Sequence, residues 1–235
     1  MKALLNKIHC AECLEFMRKL PDKCVDLVLT DPPYGINITE EFKTDWGDEQ
    51  AKKRVYKSAA WDACAPSAEY FTEMLRVGKN AIIFGGNYFA HMLPPSRCWL
   101  VWDKLNGVSS FADCELCWTS FTSSVRKFEL LWNGLAVQNK SDREYRFHPT
   151  QKPVGLIVRI LEKYARPGQI ILDPFSGSGT TAVACHNLGL DFLCIEKDPD
   201  YHAASVARLE KHRAQGLLPL AAAPVAQQAE LCLGE

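Results

Sequence analysis

The chain has 235 residues, of which 47% are hydrophobic and 23% are charged, and its formal net charge is −1. This length suits one globular domain with a sizeable core, or one domain with a small insertion, and the apolar runs are too short to span a bilayer. The near-neutral charge excludes no partner, and the start lacks the apolar core of a signal peptide, so we expect a cytoplasmic protein without a membrane partner.

The N-terminal part predicts a strand over residues 3–9, a helix over 12–20 and a buried strand over 25–29. The last strand runs into the sequence TDPPYG at residues 30–35. Two consecutive prolines each fix φ and lack an N–H group, so they end the strand and stiffen the turn. The result is a rigid shelf, defined here as residues 31–34, at the carboxyl end of a strand, where ligands bind in open α/β sheets.

The middle of the chain is harder to assign. Residues 36–62 are polar, of mixed charge and non-periodic, which is typical of a functional loop. The pattern then predicts a helix from Pro66 to Leu75 and strands at 80–86, 98–102 and 114–119, whereas residues 120–147 are rich in loops. Residues 126–152 contain six lysines and arginines against three acids. This segment is either a phosphate-facing patch or an ordinary solvated loop.

The C-terminal part predicts a βαβα unit. A helix begins at Pro153 and ends before residues 167–168, followed by a strand at 169–173, a glycine-rich turn and a helix at 180–188. A further strand at 191–196 ends in Glu196, and a helix covers 201–215. Residues 216–235 contain no basic residue and are expected to be a disordered tail.

The glycine-rich turn predicts a cofactor that contains a nucleoside. Gly177 and Gly179 allow a sharp turn and a close approach of the ligand, because neither has a Cβ atom. An acid such as Glu196, at the end of the next strand, can accept hydrogen bonds from ribose hydroxyls. Residues 177–182 also fit the looser dinucleotide pattern, so a nicotinamide-dependent oxidoreductase stays open on this evidence alone.

Two motifs together make a sharper resemblance. The sequence DPFSGSGT at residues 173–180, with TDPPYG before it, resembles the amino-group DNA methyltransferases that use S-adenosylmethionine, in their β-type motif order. HPTQKP at 148–153 resembles the family's segment before the cofactor loop, and residues 12–15 resemble its N-terminal segment that touches the cofactor's adenine. The family usually has Asp at the position of Glu12. The matching stretches cover about half of the chain.

The resemblance implies a Rossmann-like α/β fold: a mostly parallel, seven-stranded sheet with helices on both faces and a small DNA-facing insertion. It implies one methyltransferase domain over residues 1–215, with residues 36–62 and 120–147 facing DNA. Double-stranded DNA is the implied partner, S-adenosyl-L-methionine the implied methyl donor, and the family allows a homodimer. No metal is expected. The pairs Cys10/Cys13 and Cys114/Cys117 have zinc-like spacing. Cys114 and Cys117 lie three apart on a predicted strand and so point to opposite faces, whereas Cys10 and Cys13 lie at a strand-to-helix junction.

The resemblance also implies a mechanism. Asp31 and the Pro32 carbonyl would accept hydrogen bonds from an exocyclic amino group and localise its lone pair, and Pro33 would stiffen the turn. Tyr34 would stack on a base flipped out of the duplex. The implied catalytic residues are Asp31, Pro32, Pro33 and Tyr34. The implied cofactor-binding residues are Glu12, Asp31, Thr150, Lys152, Asp173, Phe175, Ser176, Gly177, Ser178, Gly179, Thr180 and Glu196.

The target atom stays open between two amino groups. Asp at the first shelf position favours N6 of adenine, because the family more often has Ser there when it methylates N4 of cytosine. Outside this class, an oxidoreductase would explain the glycine turn but not the shelf. A catalytically silent DNA-binding module would explain only the basic segment.

Overall fold

The computed structural model describes residues 1–36, 64–107, 112–133, 136–137, 148 and 150–215. Its strands are β1 (Lys7–Cys10), β2 (Val25–Thr30), β3 (Gly78–Phe84), β4 (Trp99–Asp103), β5 (Cys114–Thr119), β6 (Arg126–Glu129), β7 (Trp132–Asn133), β8 (Ala136–Val137), β9 (Ile170–Asp173) and β10 (Asp191–Glu196). Its helices are α1 (Cys13–Met17), α2 (Ala68–Val77), α3 (Val154–Tyr164), α4 (Thr180–Leu188) and α5 (Pro199–Ala214), after a 3₁₀ turn at Lys2–Leu4.

Within the described residues, eight strands form the main sheet in the order β1-β10-β9-β2-β3-β5-β4-β6, and β7 and β8 form a separate ribbon. Strand β5 runs antiparallel to both of its neighbours, and the other neighbouring pairs of the main sheet are parallel. The predicted fold class, a mostly parallel α/β sheet, is confirmed. The main sheet has one strand more than the predicted seven.

Helices cover both faces of the sheet, and the strand residues alternate between the two cores. On β2, Leu27 and Leu29 join the core that contains α3, α4 and α5, whereas Val28 joins the core with α1 and α2. The amphipathic patterns of α2 and α3 explain this packing, since each helix turns its buried apolar side chains to the sheet. A strand buried on both faces has a continuous apolar run, as Leu27, Val28 and Leu29 form in β2.

This topology brings three acids to one edge. Strands β10, β9 and β2 are parallel neighbours, so their carboxyl ends lie side by side. Asp31 follows β2, Asp173 ends β9 and Glu196 ends β10. The chemistry predicted at two distant points of the sequence therefore meets at one edge of the sheet.

Two expected elements differ from the structure. The first strand begins at Lys7, because Lys2–Leu4 form a 3₁₀ turn instead. Strand β6 lies in a segment predicted to be loop-rich, and it pairs with β4 at the sheet edge. Residues 37–63, most of 134–147 and the tail 216–235 lie outside the described residues, and with them nearly all of the predicted DNA-facing segment 36–62 and the C-terminal part of the segment 120–147. No described helix is long and apolar enough to cross a membrane.

Candidate active site

A cavity of about 710 Å³ opens at the carboxyl edge of β2, β9 and β10. It is lined both by the shelf, through Asp31 and Pro33, and by the glycine-rich turn. Nearly all of the predicted cofactor-binding residues line it, namely Glu12, Asp31, Thr150, Lys152, Asp173, Phe175, Ser176, Gly177, Ser178, Thr180 and Glu196. Gly179 does not contribute to the lining but begins α4 behind the turn as its N-cap.

The glycine-rich turn depends on backbone geometry that favours glycine. Gly177 has φ of +49° and Gly179 has φ of +73°, both in the left-handed region. A Cβ atom on Gly179 would come within 3.1 Å of the side chains of Ile8 and Ser205, so the turn also packs closely against β1 and α5. At Gly177, which lines the cavity, the turn therefore presents backbone without a side chain.

Glu196 fixes this turn from the neighbouring strand. Its carboxylate accepts hydrogen bonds from the backbone N–H groups of Gly177, at 2.8 Å, and Asp198, at 2.7 Å. Burial raises the pKa of Glu196, although these hydrogen bonds oppose the shift. The sequence predicted contact with a ligand ribose. The structure adds that the same carboxylate organises the turn.

Asp173 is almost fully buried and holds the ends of three segments together. Oδ1 accepts hydrogen bonds from the Thr30 hydroxyl at 2.7 Å and the Phe175 N–H at 3.1 Å, and Oδ2 accepts one from the Thr181 hydroxyl at 2.6 Å. Burial raises the pKa of Asp173 to about 6, against the effect of these hydrogen bonds. The residue thus links the shelf strand to the glycine-rich turn.

Glu12 also lines the cavity and is the N-cap of α1. Its carboxylate accepts hydrogen bonds from the Glu15 N–H at 2.9 Å and the Tyr70 hydroxyl at 2.8 Å. Burial acts to raise the pKa of Glu12, but the hydrogen bonds outweigh it and the pKa lies below its usual range. Tyr70, which sequence reasoning missed, also packs its ring against Phe175, with ring centroids 5.8 Å apart.

On the shelf, the Asp31 carboxylate already has two partners. The Tyr34 hydroxyl donates to Oδ1 at 2.7 Å, and the Lys152 ammonium lies 2.5 Å from Oδ2. Lys152 therefore joins the 148–153 segment directly to the shelf. Burial raises the pKa of Asp31, and the nearby Glu115 raises it further while Lys152 opposes the shift.

The Tyr34 ring is stacked on Tyr88, with centroids 4.7 Å apart and planes at 16°, and Phe89 approaches it edge-on at 6.0 Å. A Cβ atom built on Gly85 would lie 2.2 Å from Tyr34 Cε1, so Gly85 closes another side of the ring. Pro32 is buried beneath this arrangement. Sequence reasoning missed Tyr88, because it lies in a turn with no motif around it.

The remaining predicted residues also lie near the turn. His148 is buried with its ring edge-on to Tyr201, and its Nδ1 lies 3.2 Å from the Thr150 hydroxyl. Of the zinc-like pairs, Cys10 and Cys114 are exposed while Cys13 and Cys117 are buried. Within the described ranges, no three His, Cys, Asp or Glu side chains are grouped so as to hold a metal ion.

Comparison with known proteins agrees with this geometry. The family model described as DNA methylase matches residues 97–207. The type II methyltransferase M.HinfI of Haemophilus influenzae is 24% identical over an alignment 251 residues long, gaps included. The alignment covers 88% of this chain and 69% of that protein.

Solved structures share the fold. TTHA0409 from Thermus thermophilus, solved with S-adenosyl-L-methionine, has a TM-score of 0.54 at 18% identity, covering 88% of this chain and 95% of its own. The cytosine-N4-specific PvuII DNA methyltransferase has a TM-score of 0.57 at 13% identity, covering 88% and 89%. The sequence matches and the shared fold support the family of S-adenosylmethionine-dependent DNA methyltransferases that modify the exocyclic amino groups of adenine (N6) or cytosine (N4), to which this chain is similar.

Proposed function

We propose that this protein transfers a methyl group from S-adenosyl-L-methionine to the N6 amino group of adenine in double-stranded DNA. One observation carries the proposal: a single cavity contains both the Asp31 carboxylate and the glycine-rich turn with Glu196. A methyl donor on the turn and an acceptor at the shelf would thus be held next to each other, and such positioning is a large part of catalysis in a two-substrate reaction. Asp31 at the first shelf position favours adenine over cytosine.

The cavity supports the assignment of the cofactor's parts. Glu196, behind the glycine-rich turn, is placed to accept hydrogen bonds from ribose hydroxyls, and Glu12 is placed to accept one from the adenine amino group. Each of these carboxylate oxygens can accept more than one hydrogen bond. Lys152 has three N–H donors, and the carboxylates of Asp31 and Glu115 take two of them among the described residues. The third suits the carboxylate of the methionine moiety, near Thr150.

The bound cofactor would supply an electrophilic methyl group on a sulfonium, and the chain supplies the activation of the nucleophile. An exocyclic amino nitrogen is a poor nucleophile, because its lone pair is delocalised into the ring. Oδ1 and Oδ2 of Asp31 each have acceptor capacity beyond their present partners, Tyr34 and Lys152. Together with the Pro32 carbonyl, they would hold the amino hydrogens and localise the lone pair for in-line transfer.

The target base reaches this site only if it leaves the duplex. We infer that the flipped base stacks on Tyr34. Because Tyr88 lies parallel to the Tyr34 ring at 4.7 Å, no base fits between the two rings. The base therefore either displaces Tyr88 or stacks on the remaining accessible surface of Tyr34. The fluorescent base 2-aminopurine, placed at the target adenine, would brighten on unstacking and so report the flipping step.

The deciding experiment is nucleoside analysis of the product. Double-stranded DNA is incubated with the protein and S-adenosyl-L-methionine labelled in its methyl group, then digested and separated. We expect label in N6-methyladenine, and no label after Asp31→Ala. Label in N4-methylcytosine instead would overturn the adenine assignment, and an Asp31→Ala variant with full activity would overturn the mechanism.

We also propose that the recognised site is short or its specificity relaxed, because the non-catalytic middle of the chain, with residues 36–62 and 120–147, is short. Mapping the methylated bases in genomic DNA tests this, and a strict requirement for a long site would contradict it. A homodimer is the assembly that the family allows. Light scattering of the protein with and without DNA measures it directly.

A further inference from the structure

Next to the shelf lies a second acid that no motif predicts. Glu115, on β5, has one carboxylate oxygen 2.8 Å from the Lys104 ammonium and the other 3.2 Å from the Lys152 ammonium. Lys152 in turn lies 2.5 Å from Asp31 Oδ2. The four side chains form a row of alternating charge, Lys104–Glu115–Lys152–Asp31, which we call the charge row.

The charge row is largely shielded from solvent. Its side chains are between 10% and 18% exposed, so each charge interacts strongly with its neighbours. Buried charges are tolerated when they are paired and hydrogen-bonded, and here two cations alternate with two anions. Its members come from four different segments, so the tertiary structure rather than the local sequence brings them together.

Within the row, Lys152 is shared. One ammonium serves the carboxylates of Asp31 and Glu115, so neither acid has a cation to itself. A carboxylate that has a lysine to itself is a weaker hydrogen-bond acceptor than one that shares its lysine with a second carboxylate. The Tyr34 hydroxyl, 2.7 Å from Asp31 and 3.5 Å from Glu115, touches both acids.

We propose that Glu115 is a positioning residue for methyl transfer: through Lys152 it sets the orientation and the acceptor strength of Asp31. The inference rests on the proposed function, because Asp31 must contact the target amino group. The groups that face Asp31 are Lys152, Glu115, Tyr34 and Asp173, which is the last residue of the neighbouring strand β9. Of these, Glu115 is the like charge that shares the lysine of Asp31. Burial is the main cause that raises the pKa of Asp31, and the negative charge of Glu115 raises it further.

The test is the pH dependence of kcat for methyl transfer by two charge-row variants. Glu115→Gln removes a negative charge near Asp31, so the pKa of Asp31 falls and the acid limb of the profile moves down by about one pH unit. We expect kcat at neutral pH to fall about tenfold, while KM for S-adenosyl-L-methionine stays the same. Lys104→Gln removes a positive charge from the same row, so it moves the acid limb in the opposite direction.

Opposite shifts distinguish an electrostatic role from a structural one, because a loss of packing or folding does not depend on the sign of the charge removed. Glu129→Gln is the matched control: Glu129 lies on the edge strand β6, which β4 separates from β5, pairs with Lys127 and is 53% exposed. It should leave the profile unchanged. If Glu115→Gln does not fold, Lys104→Gln alone decides by the direction of its shift.

Acid limbs that do not move, or that move in the same direction in both variants, would overturn the role of Glu115. Failure of the proposed function looks different, because the wild-type protein would then methylate neither base, and the inference would fall with it. An active wild type with unshifted variants contradicts the positioning role alone.

Discussion

At the scale of single residues, Gly85 packs so closely against the shelf residue Tyr34 that it leaves no space for a side chain. Its φ of +65° lies in the left-handed region, and a Cβ atom would meet the Tyr34 ring at 2.2 Å. Gly85→Ala should therefore destabilise the protein by roughly 2–4 kcal/mol, from the backbone strain and the overpacking together. Urea unfolding followed by circular dichroism measures the change.

Gly107→Ala separates the cost of backbone strain from the cost of overpacking. Gly107 has φ of +60°, but no atom of the part of the chain that the structure describes lies within 4 Å of the Cβ that it lacks. This variant should lose only the free energy of the backbone conformation, about 1–2 kcal/mol. Equal losses in the two variants would mean that the Tyr34 ring moves aside freely, and the shelf would then be less rigid than its prolines indicate.

Asp173 makes a prediction about pH. Its pKa of about 6 lies above the ordinary value of 3.8, so between these values the folded protein binds a proton that the unfolded chain has already released. The carboxyl therefore contributes stability at low pH that is lost as the pH rises through 6. Relative to Asp173→Asn, the wild type should lose roughly 3 kcal/mol of unfolding free energy between about pH 4 and pH 7.

The altered hydrogen bonds in Asp173→Asn change the unfolding free energy by an amount that does not depend on pH. The change of the free-energy difference with pH therefore reports the titration alone. Asp103→Asn provides a comparison of opposite sign. The Leu105 N–H holds the pKa of the Asp103 carboxyl below its usual range, so its contribution is lost as the pH falls. If the difference in unfolding free energy between wild type and Asp173→Asn does not change with pH, Asp173 keeps its proton, or its charge, over the whole range.

At the scale of elements, α5 closes the cavity and depends on its N-cap. The Asp198 side chain accepts hydrogen bonds from the N–H groups of Asp200, at 2.8 Å, and Tyr201, at 3.1 Å. Asp198→Ala should cost about 1 kcal/mol of unfolding free energy, since it leaves two N–H groups of the first turn without this partner.

Ser67→Ala is the matched control for this cap. Ser67 is the N-cap of α2, but its side chain makes no capping hydrogen bond. Its removal should change thermal stability by only a few tenths of a kcal/mol. If both substitutions cost the same in thermal unfolding, the loss would reflect the residue type rather than the cap.

The elements also show how much of the fold and of the site the sequence predicts. Asp31, Asp173 and Glu196 were predictable, because each follows an apolar run that a turn residue ends, and parallel strands bring such ends to one edge. Strand β6 was not predictable. Its sequence RKFE has a single apolar residue, and an edge strand needs no alternating pattern when it buries little surface.

Glu115, Tyr88 and Tyr70 were missed for a different reason. The order of strands places β5 between β3 and β4, so Glu115 comes beside Lys152 and Asp31 from a distant part of the chain. Sequence periodicity identifies strands but not their neighbours in the sheet. A charged residue in an otherwise apolar strand, as Glu115 is in CELCWT, is the signal that could have found it.

At the scale of the whole molecule, the cavity joins segments that are far apart in sequence. Its walls come from residues near both ends of the domain, from Glu12 on α1 to Tyr201 on α5, and from the shelf between them. A ligand that fills the cavity therefore contacts segments that separate on unfolding. Ligand binding should stabilise the whole fold rather than one loop.

This gives a prediction that separates the methyltransferase from the oxidoreductase reading of the glycine-rich turn. S-adenosyl-L-methionine at 100 times its dissociation constant should raise the unfolding free energy by about 2.7 kcal/mol, and NAD⁺ at the same concentration should have no effect. S-adenosylhomocysteine, which lacks the transferred methyl group, should stabilise as well, because the proposed contacts with Glu12 and Glu196 do not involve that methyl group. Asp31→Ala should still respond to both methionine-derived ligands, since its defect lies in the transfer step. Stabilisation by NAD⁺ without stabilisation by S-adenosyl-L-methionine, in a thermal unfolding series, would contradict the proposed cofactor.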